Sequence, residues 1–241
     1  MLTSGRPLVE VAVDSVTAAR LAAEAGADRL ELCQALEVGG LTPSLGLLEA
    51  VRAAVAIPVF VMIRSRPGPF VADESELAVM ARDVELAVGA GAAGVVAGLL
   101  GPKGGVDVGA TRLLVERAGG VPFTFHRAFD AIPNSLSAMA TLRELGVSRI
   151  LTSGGAPTAD QGRAAIRRLV EEAAGSPVVL AGGGVQGVHV ARLVAETRVA
   201  EIHLAGVLRN AAVEGFGCES RPDPDRVRRV LAALPGAGSR R

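Results

Sequence analysis

Short runs of β-branched and aromatic residues recur along this chain, and each is followed by an Ala-, Leu- and Arg-rich stretch of helical character. The runs are Leu8–Val13, Asp28–Cys33, Pro58–Arg64, Gly94–Leu100, Pro122–Phe129, Arg149–Gly154, Pro177–Gly182 and Glu201–Gly206. Strand then helix, repeated eight times with no antiparallel hairpin signal, predicts a parallel sheet closed into a (β/α)8, or TIM, barrel. An open doubly wound sheet also alternates, but eight evenly spaced units fit closure better. Helix starts are expected at Thr42-Pro43, and at Asp73 with Glu76 and Thr158 with Gln161, which have capping-box spacing. One connection, 207–223, is long enough to be a lid, a binding loop or a surface insertion.

Alternation along each strand assigns its two faces. Turning Leu30 and Leu32 toward the helices sends Arg29, Glu31 and Cys33 into the barrel. Turning Val9, Val11 and Val13 outward sends Glu10, Ala12 and Asp14 inward. By the same logic Arg64, Thr124, His126 and His203 face in. Barrel interiors are ordinarily packed with branched apolar side chains, and buried charge is costly unless paired. Glu10, Glu31, Arg64, His126 and His203 therefore read either as a salt-bridge network, with Arg29 and Arg64 neutralising the two acids, or as a site. Their convergence on one mouth favours the site.

The segment His126-Arg127-Ala128-Phe129-Asp130 places a proton carrier, a fixed cation and a carboxylate within five residues at the end of strand five. Arg127 and Asp130 also read as a rim ion pair. Arg64 and Arg66 near the end of strand three suggest an anionic ligand, with a pairing between one of them and Glu31 as the alternative. Rim glycines Gly154-Gly155, Gly183-Gly184 and Gly206 are candidate backbone donors to a phosphate or carboxylate, since the loops after strands seven and eight commonly hold phosphate in this fold.

Composition narrows the field. Lys plus Arg and Asp plus Glu balance at 25 each, and Trp and Tyr are absent, which argues against nucleic acid and membrane surfaces as partners. The chain reads as one domain over 1–241, with 235–241 as a frayed tail. The first residues carry no apolar stretch of secretory type, no later run approaches a membrane span, and two cysteines make no disulfide framework. A cytoplasmic protein is expected. Zincin, Walker and dinucleotide motifs and a serine elbow are absent, and the lone lysine, Lys103, sits on a loop, which disfavours Schiff-base chemistry.

The segments ADRLELC (Ala27–Cys33), GGLTPSLG (Gly39–Gly46), FVMIRSR (Phe60–Arg66), FTFHRAFD (Phe123–Asp130), LTSGGAPTA (Leu151–Ala159), AGGGV (Ala181–Val185) and EIHL (Glu201–Leu204) together resemble the CutC family. The resemblance implies a cytoplasmic barrel with a role in copper homeostasis and possible Cu(I) binding. Against the family pattern, Val11-Ala12-Val13 stands where members often carry a Cys pair, Leu204-Ala205 follows His203 where Ser is frequent, and the arginine motif reads Arg64-Ser65-Arg66-Pro67-Gly68. Cys33 and Cys218 remain as thiol ligands, with His203 as a third donor, so Cu(I) binding is expected to be weak or nonspecific.

Three functions stand open: copper handling, acid–base catalysis on a small phosphate or carboxylate by His126 with Glu31 or Glu10, and non-catalytic binding of such an anion. The residues favour the second and the resemblance the first. A homo-oligomer is compatible with either.

Overall fold

The computed structural model describes residues 5–205, 207–213 and 217–235; the side chains of 207–213 and 217–221 lie outside that description. Eight parallel strands close into a barrel in sequence order: β1 Leu8–Val13, β2 Arg29–Leu32, β3 Val59–Met62, β4 Gly94–Ala97, β5 Phe123–Phe125, β6 Arg149–Thr152, β7 Val178–Ala181 and β8 Glu201–Ala205. Helices α1 Val16–Glu24, α2 Leu45–Ala54, α3 Glu74–Gly89, α4 Val108–Arg117, α5 Ser135–Glu144, α6 Arg163–Ala173, α7 Gly187–Thr197 and α8 Pro224–Ala233 follow the strands in turn. Most strands are shorter than the apolar runs that announced them, because each run continues into the loop that builds the mouth.

The strand faces divide as alternation requires. Val9, Val11, Val13, Leu30, Leu32 and Ile202 are fully buried. Register pairs Glu10 with Arg29 and with His203, and Ala12 with Glu31, so these four polar residues share the inner face. Phe60 fills the interior beside them. Gly94, its register partner on β4, leaves room for that ring: a Cβ there would stand 2.6 Å from it.

Helix starts follow local chemistry. Asp73 forms the expected capping box with Glu76. The other two expected starts are displaced. Ser44, not Thr42, caps α2, and the Thr42 hydroxyl instead accepts the Arg64 N–H at 2.9 Å, tying the loop after β2 to the end of β3. Thr158 accepts the Gln161 N–H in a turn that precedes α6, whose N-cap is Gly162.

The segment between β8 and α8 is not an irregular loop. Val207–Val213 (β9) and Gly217–Pro222 (β10) pair antiparallel, with a register irregularity between Cys218 and Ser220, and β10 runs beside α1 and the 3-10 turn Leu36–Val38. The alternation carried no hairpin signal here, since this segment has neither a two-residue turn motif nor a clean apolar face. No helix of the described residues is long and apolar enough to cross a membrane.

Candidate functional site

The lower half of the barrel interior is a closed chain of charges. Arg29 donates through Nε to Glu10 and through Nη2 to Glu201, each at 2.5 Å, and Arg149 reaches Glu201 at 3.0 Å. Both guanidinium groups lie over the Phe60 ring, at 4.7 and 5.3 Å. Glu10 is also bonded to His203 Nδ1 at 2.8 Å. Burial alone pushes the Glu10 carboxyl up, but the His203 contact and the Arg29 charge outweigh it and hold the group at about 2. Glu10 and Arg29 thus pair as expected.

The upper half differs. A cavity of about 480 Å³ opens at the C-terminal ends of the strands; Glu31, Arg64, His126, Arg127, His203 and Arg226 all line it. Among the described residues Glu31 has no arginine partner. Its nearest cation is His203, whose Nε2 lies 3.7 Å from Oε2, while Oε1 is buried without a partner. Burial raises its carboxyl to about 7; His203 opposes that rise and the Glu10 charge adds to it. His203, set between two carboxylates, is raised despite its burial.

His126 is buried. Its ring packs 4.9 Å from Phe70 and sits over Gly98, where a Cβ would stand 2.6 Å from Nδ1. Nδ1 accepts the Ala128 N–H at 3.2 Å, which leaves the proton on Nε2. Burial, with the Arg64 charge behind it, depresses the imidazole to about 4. At neutral pH His126 is thus a fixed neutral N–H donor rather than the proton shuttle its ordinary pKa suggests.

Arg64 points to the mouth but not to Glu31. Nη1 donates to the carbonyls of Val38 and Gly40, and Nη2 to that of Gly68, leaving Nε buried and unpartnered. Its cation thus clamps two loops together with no carboxylate beside it. Arg66 leaves the mouth to pair with Glu76 at the start of α3, because β3 ends at Met62 and the face alternation stops there.

The Arg127–Asp130 rim ion pair forms, at 2.8 Å, and Arg127 Nη2 also reaches Ser153 at 2.9 Å. Asp130 is fully committed to structure: it accepts from the Thr152 and Ser153 hydroxyls and from the N–H groups of Ser153 and Gly155. The Gly154 N–H donates to Thr152. The turn after β6 therefore offers no free amide pair, contrary to expectation. Gly183 and Gly184, at φ +99° and +68°, line the cavity, and the Arg127 guanidinium lies against Gly183. Gly206 lies outside the described residues.

Sequence reasoning missed Arg226. It projects from the first turn of α8, donates to the Val185 carbonyl at 3.0 Å and keeps Nε buried and unpartnered. Nothing in a strand-by-strand reading flags a helical arginine; the polar face of α8 was the only signal.

Among the described residues the soft donors do not assemble a copper site. Cys33 is buried, and burial together with the neighbouring Glu31 pushes its thiol well above the ordinary range, so it stays protonated. Both His203 nitrogens face carboxylates. The Cys218 side chain lies outside the described residues. Among the described residues, no group of three or more His, Cys, Asp or Glu is placed to hold a metal.

Fold and cavity together define a single (β/α)8 barrel whose mouth sets a few charged side chains in a largely apolar lining. The CutC family model matches residues 7–208, and the chain belongs to the CutC family. A family protein CutC from Xylella fastidiosa is 46% identical over 240 residues, covering 96% of this chain and 90% of that one. The human copper homeostasis protein cutC homolog is 44% identical over 196 residues, 81% of this chain and 72% of that one. The crystal structure described as a copper homeostasis protein CutC from Streptococcus agalactiae superimposes with a TM-score of 0.79 at 33% identity, covering 82% of this chain and 97% of that one. A 3-hexulose-6-phosphate synthase, at 18% identity and TM-score 0.63, shares the fold alone.

Proposed function

We propose that the mouth binds a small phosphate- or carboxylate-bearing molecule and moves a proton on it, with Glu31 as the proton-transferring group. One observation carries this reading. Five buried side-chain polar atoms lack a partner among the described residues, and three of them, Glu31 Oε1, Arg64 Nε and Arg226 Nε, belong to residues lining this cavity. Buried polar groups are satisfied in folded proteins unless a ligand or water completes them.

The roles divide by environment. Glu31, poised at about 7, exchanges a proton near neutral pH. His126, neutral with its proton on Nε2, donates to an oxygen that gains charge. Glu10 remains ionised, holds His203 by its Nδ1 and keeps a cation beside Glu31. The arginines supply positive potential without titrating. A non-catalytic anion-binding protein would need the cations but not a carboxyl poised between two protonation states.

The test is solvent deuterium exchange, followed by NMR, at carbon adjacent to the carbonyl in small 2-oxo acids and phosphorylated hydroxy-carbonyl compounds. Exchange with one of these probes that disappears in Glu31→Gln and falls at least tenfold in His126→Ala is expected. Exchange unchanged in both variants, or none with any probe, would overturn the reading.

A second reading rests on the family: a role in copper homeostasis, as the human relative's name states for that protein. The donor set gives it little support, since Cys33 is a buried neutral thiol. Competition with a Cu(I) chelator under reducing conditions separates the two. Weak binding is expected; tight one-to-one binding lost in both Cys33→Ser and Cys218→Ser would restore copper as the cargo.

A further inference from the structure

The uncommitted donors of the mouth form two groups that face each other across it. One group surrounds the turn after β7. Arg226 reaches this turn from α8 through its bond to the Val185 carbonyl. Arg127 reaches it from the end of β5: its Cζ and Nη1 would lie 3.2 Å from a Cβ on Gly183. Arg127 commits Nε to Asp130 and Nη2 to Ser153, and its Nη1, close to Gly183, makes no hydrogen bond among the described residues. The N–H groups of Gly183 and Gly184 enter none of the turn's backbone bonds among the described residues. The second group lies beyond β3 and β5: Arg64 Nε and the Nε2–H of His126, with the Phe70 ring packed against both side chains. Strands three and seven stand opposite one another in a closed eight-stranded barrel. Glu31, whose Oε1 is buried without a partner, lines the same cavity.

We propose that the mouth takes a small molecule anionic at both ends, with a phosphate on the Gly183–Gly184 turn between Arg127 and Arg226, and a carboxylate or enolate oxygen on Arg64 and His126. This deepens the proton-transfer reading and rests on it only for what happens at Glu31. Donor count assigns the ends. The β7 side offers two guanidinium groups and two backbone amides, matching the three oxygens of a phosphate. The β3 side offers two N–H groups, matching one planar oxygen group. Charge agrees: among the described residues neither Arg64 nor Arg226 has a carboxylate partner, and the one acid among the described residues lining the cavity, Glu31, holds its proton through part of the neutral range. A ligand with a single anion would leave one of the two cations uncompensated.

The experiment is calorimetric titration of the full chain at pH 7 with three probes: inorganic phosphate, glycolate and 2-phosphoglycolate. The two-ended probe is expected to bind at least tenfold more tightly than either one-ended probe. Arg226→Ala should weaken phosphate and 2-phosphoglycolate about tenfold and leave glycolate unchanged. Arg64→Lys, which keeps the charge but lacks the Nε–H, should weaken glycolate and 2-phosphoglycolate and leave phosphate unchanged; it replaces an alanine variant that would free two loops at once. Binding of 2-phosphoglycolate no tighter than of phosphate, or equal losses for all three probes in both variants, would overturn the two-ended assignment. The outcomes separate from those of the proton-transfer reading. Two-ended binding with deuterium exchange unaffected by Glu31→Gln would sink that reading and leave this one standing. Glu31-dependent exchange on a one-ended probe would do the reverse.

Discussion

The barrel interior holds two sets of buried charges that obey opposite rules. In the lower set, Arg149, Glu201, Arg29 and Glu10 run acid against base at 2.5–3.0 Å over a phenylalanine ring. In the upper set, Glu31, Arg64 and Arg226 each keep an atom without a partner beside a cavity. The lower set resembles the salt-bridge network that alternation alone made plausible. The upper set does not, because the arginine nearest to Glu31 in that reading turns away to loop carbonyls. A charge network that only holds the fold closes on itself, whereas one left open has room for a further partner; this chain carries a closed set and an open set within one barrel. Glu10 and His203 join them, so that the closed set fixes the imidazole that faces Glu31.

The sharpest way to break this contrast is Arg29→Ala. It leaves Glu10 with His203 and Glu201 with Arg149 as the remaining partners of two buried anions, and the expected loss is about 3 kcal/mol in urea unfolding. A loss no larger than that of an exposed-site control would show that the lower set is not closed. Removing charge from the upper set should do the opposite. A carboxyl with a higher pKa folded than unfolded adds no cost below its unfolded value of 4.5; the cost grows as pH rises from there and is complete above about 7. Glu31→Gln is therefore expected to stabilise the protein by about 3 kcal/mol at pH 8 and to leave it nearly unchanged at pH 4.5. Destabilisation at pH 8 would mean that Glu31 is paired after all.

His126 sharpens the comparison on the acid side. Its folded pKa, about 4, lies below the free value of 6.5, so its contribution to stability falls as pH drops from 6.5 toward 4. Long-range proton–nitrogen correlation spectra should show a neutral ring with its proton on Nε2 down to about pH 5; an imidazolium at pH 6 would contradict its role as a neutral donor. The smallest effect is expected at Arg66, whose exposed pairing with Glu76 lies outside both sets. Arg66→Ala should leave Tm and anion binding unchanged within error.

How far this was legible in the sequence follows from the kind of signal involved. Two-residue alternation is a backbone property, so Glu10, Arg29, Glu31 and His203 could be turned inward from their neighbours alone. Partner choice is not a backbone property. Arg64 follows the last residue of β3, where the alternation ends, and its long side chain bonds to carbonyls of two loops whose positions no strand pattern specifies. Gly154 and Gly155 looked like free amides because glycine marks the turn, but Asp130, more than twenty residues earlier in sequence, folds back to take the Gly155 N–H while Thr152 takes that of Gly154. Arg226 stayed hidden on a helix. The hairpin at 207–222 was also unread, since strands without clean alternation or a two-residue turn motif leave only their length as a signal.

The central claim is that Glu31 holds a titratable proton within an open set of charges. Carbon-13 NMR of the glutamate side-chain carboxyls, with Glu31 assigned by its loss in Glu31→Gln, measures that proton directly. A midpoint near 7 is predicted, moving downward when the Glu10 charge is removed in Glu10→Gln. A midpoint near the ordinary 4.5, unmoved by Glu10→Gln, would contradict the account.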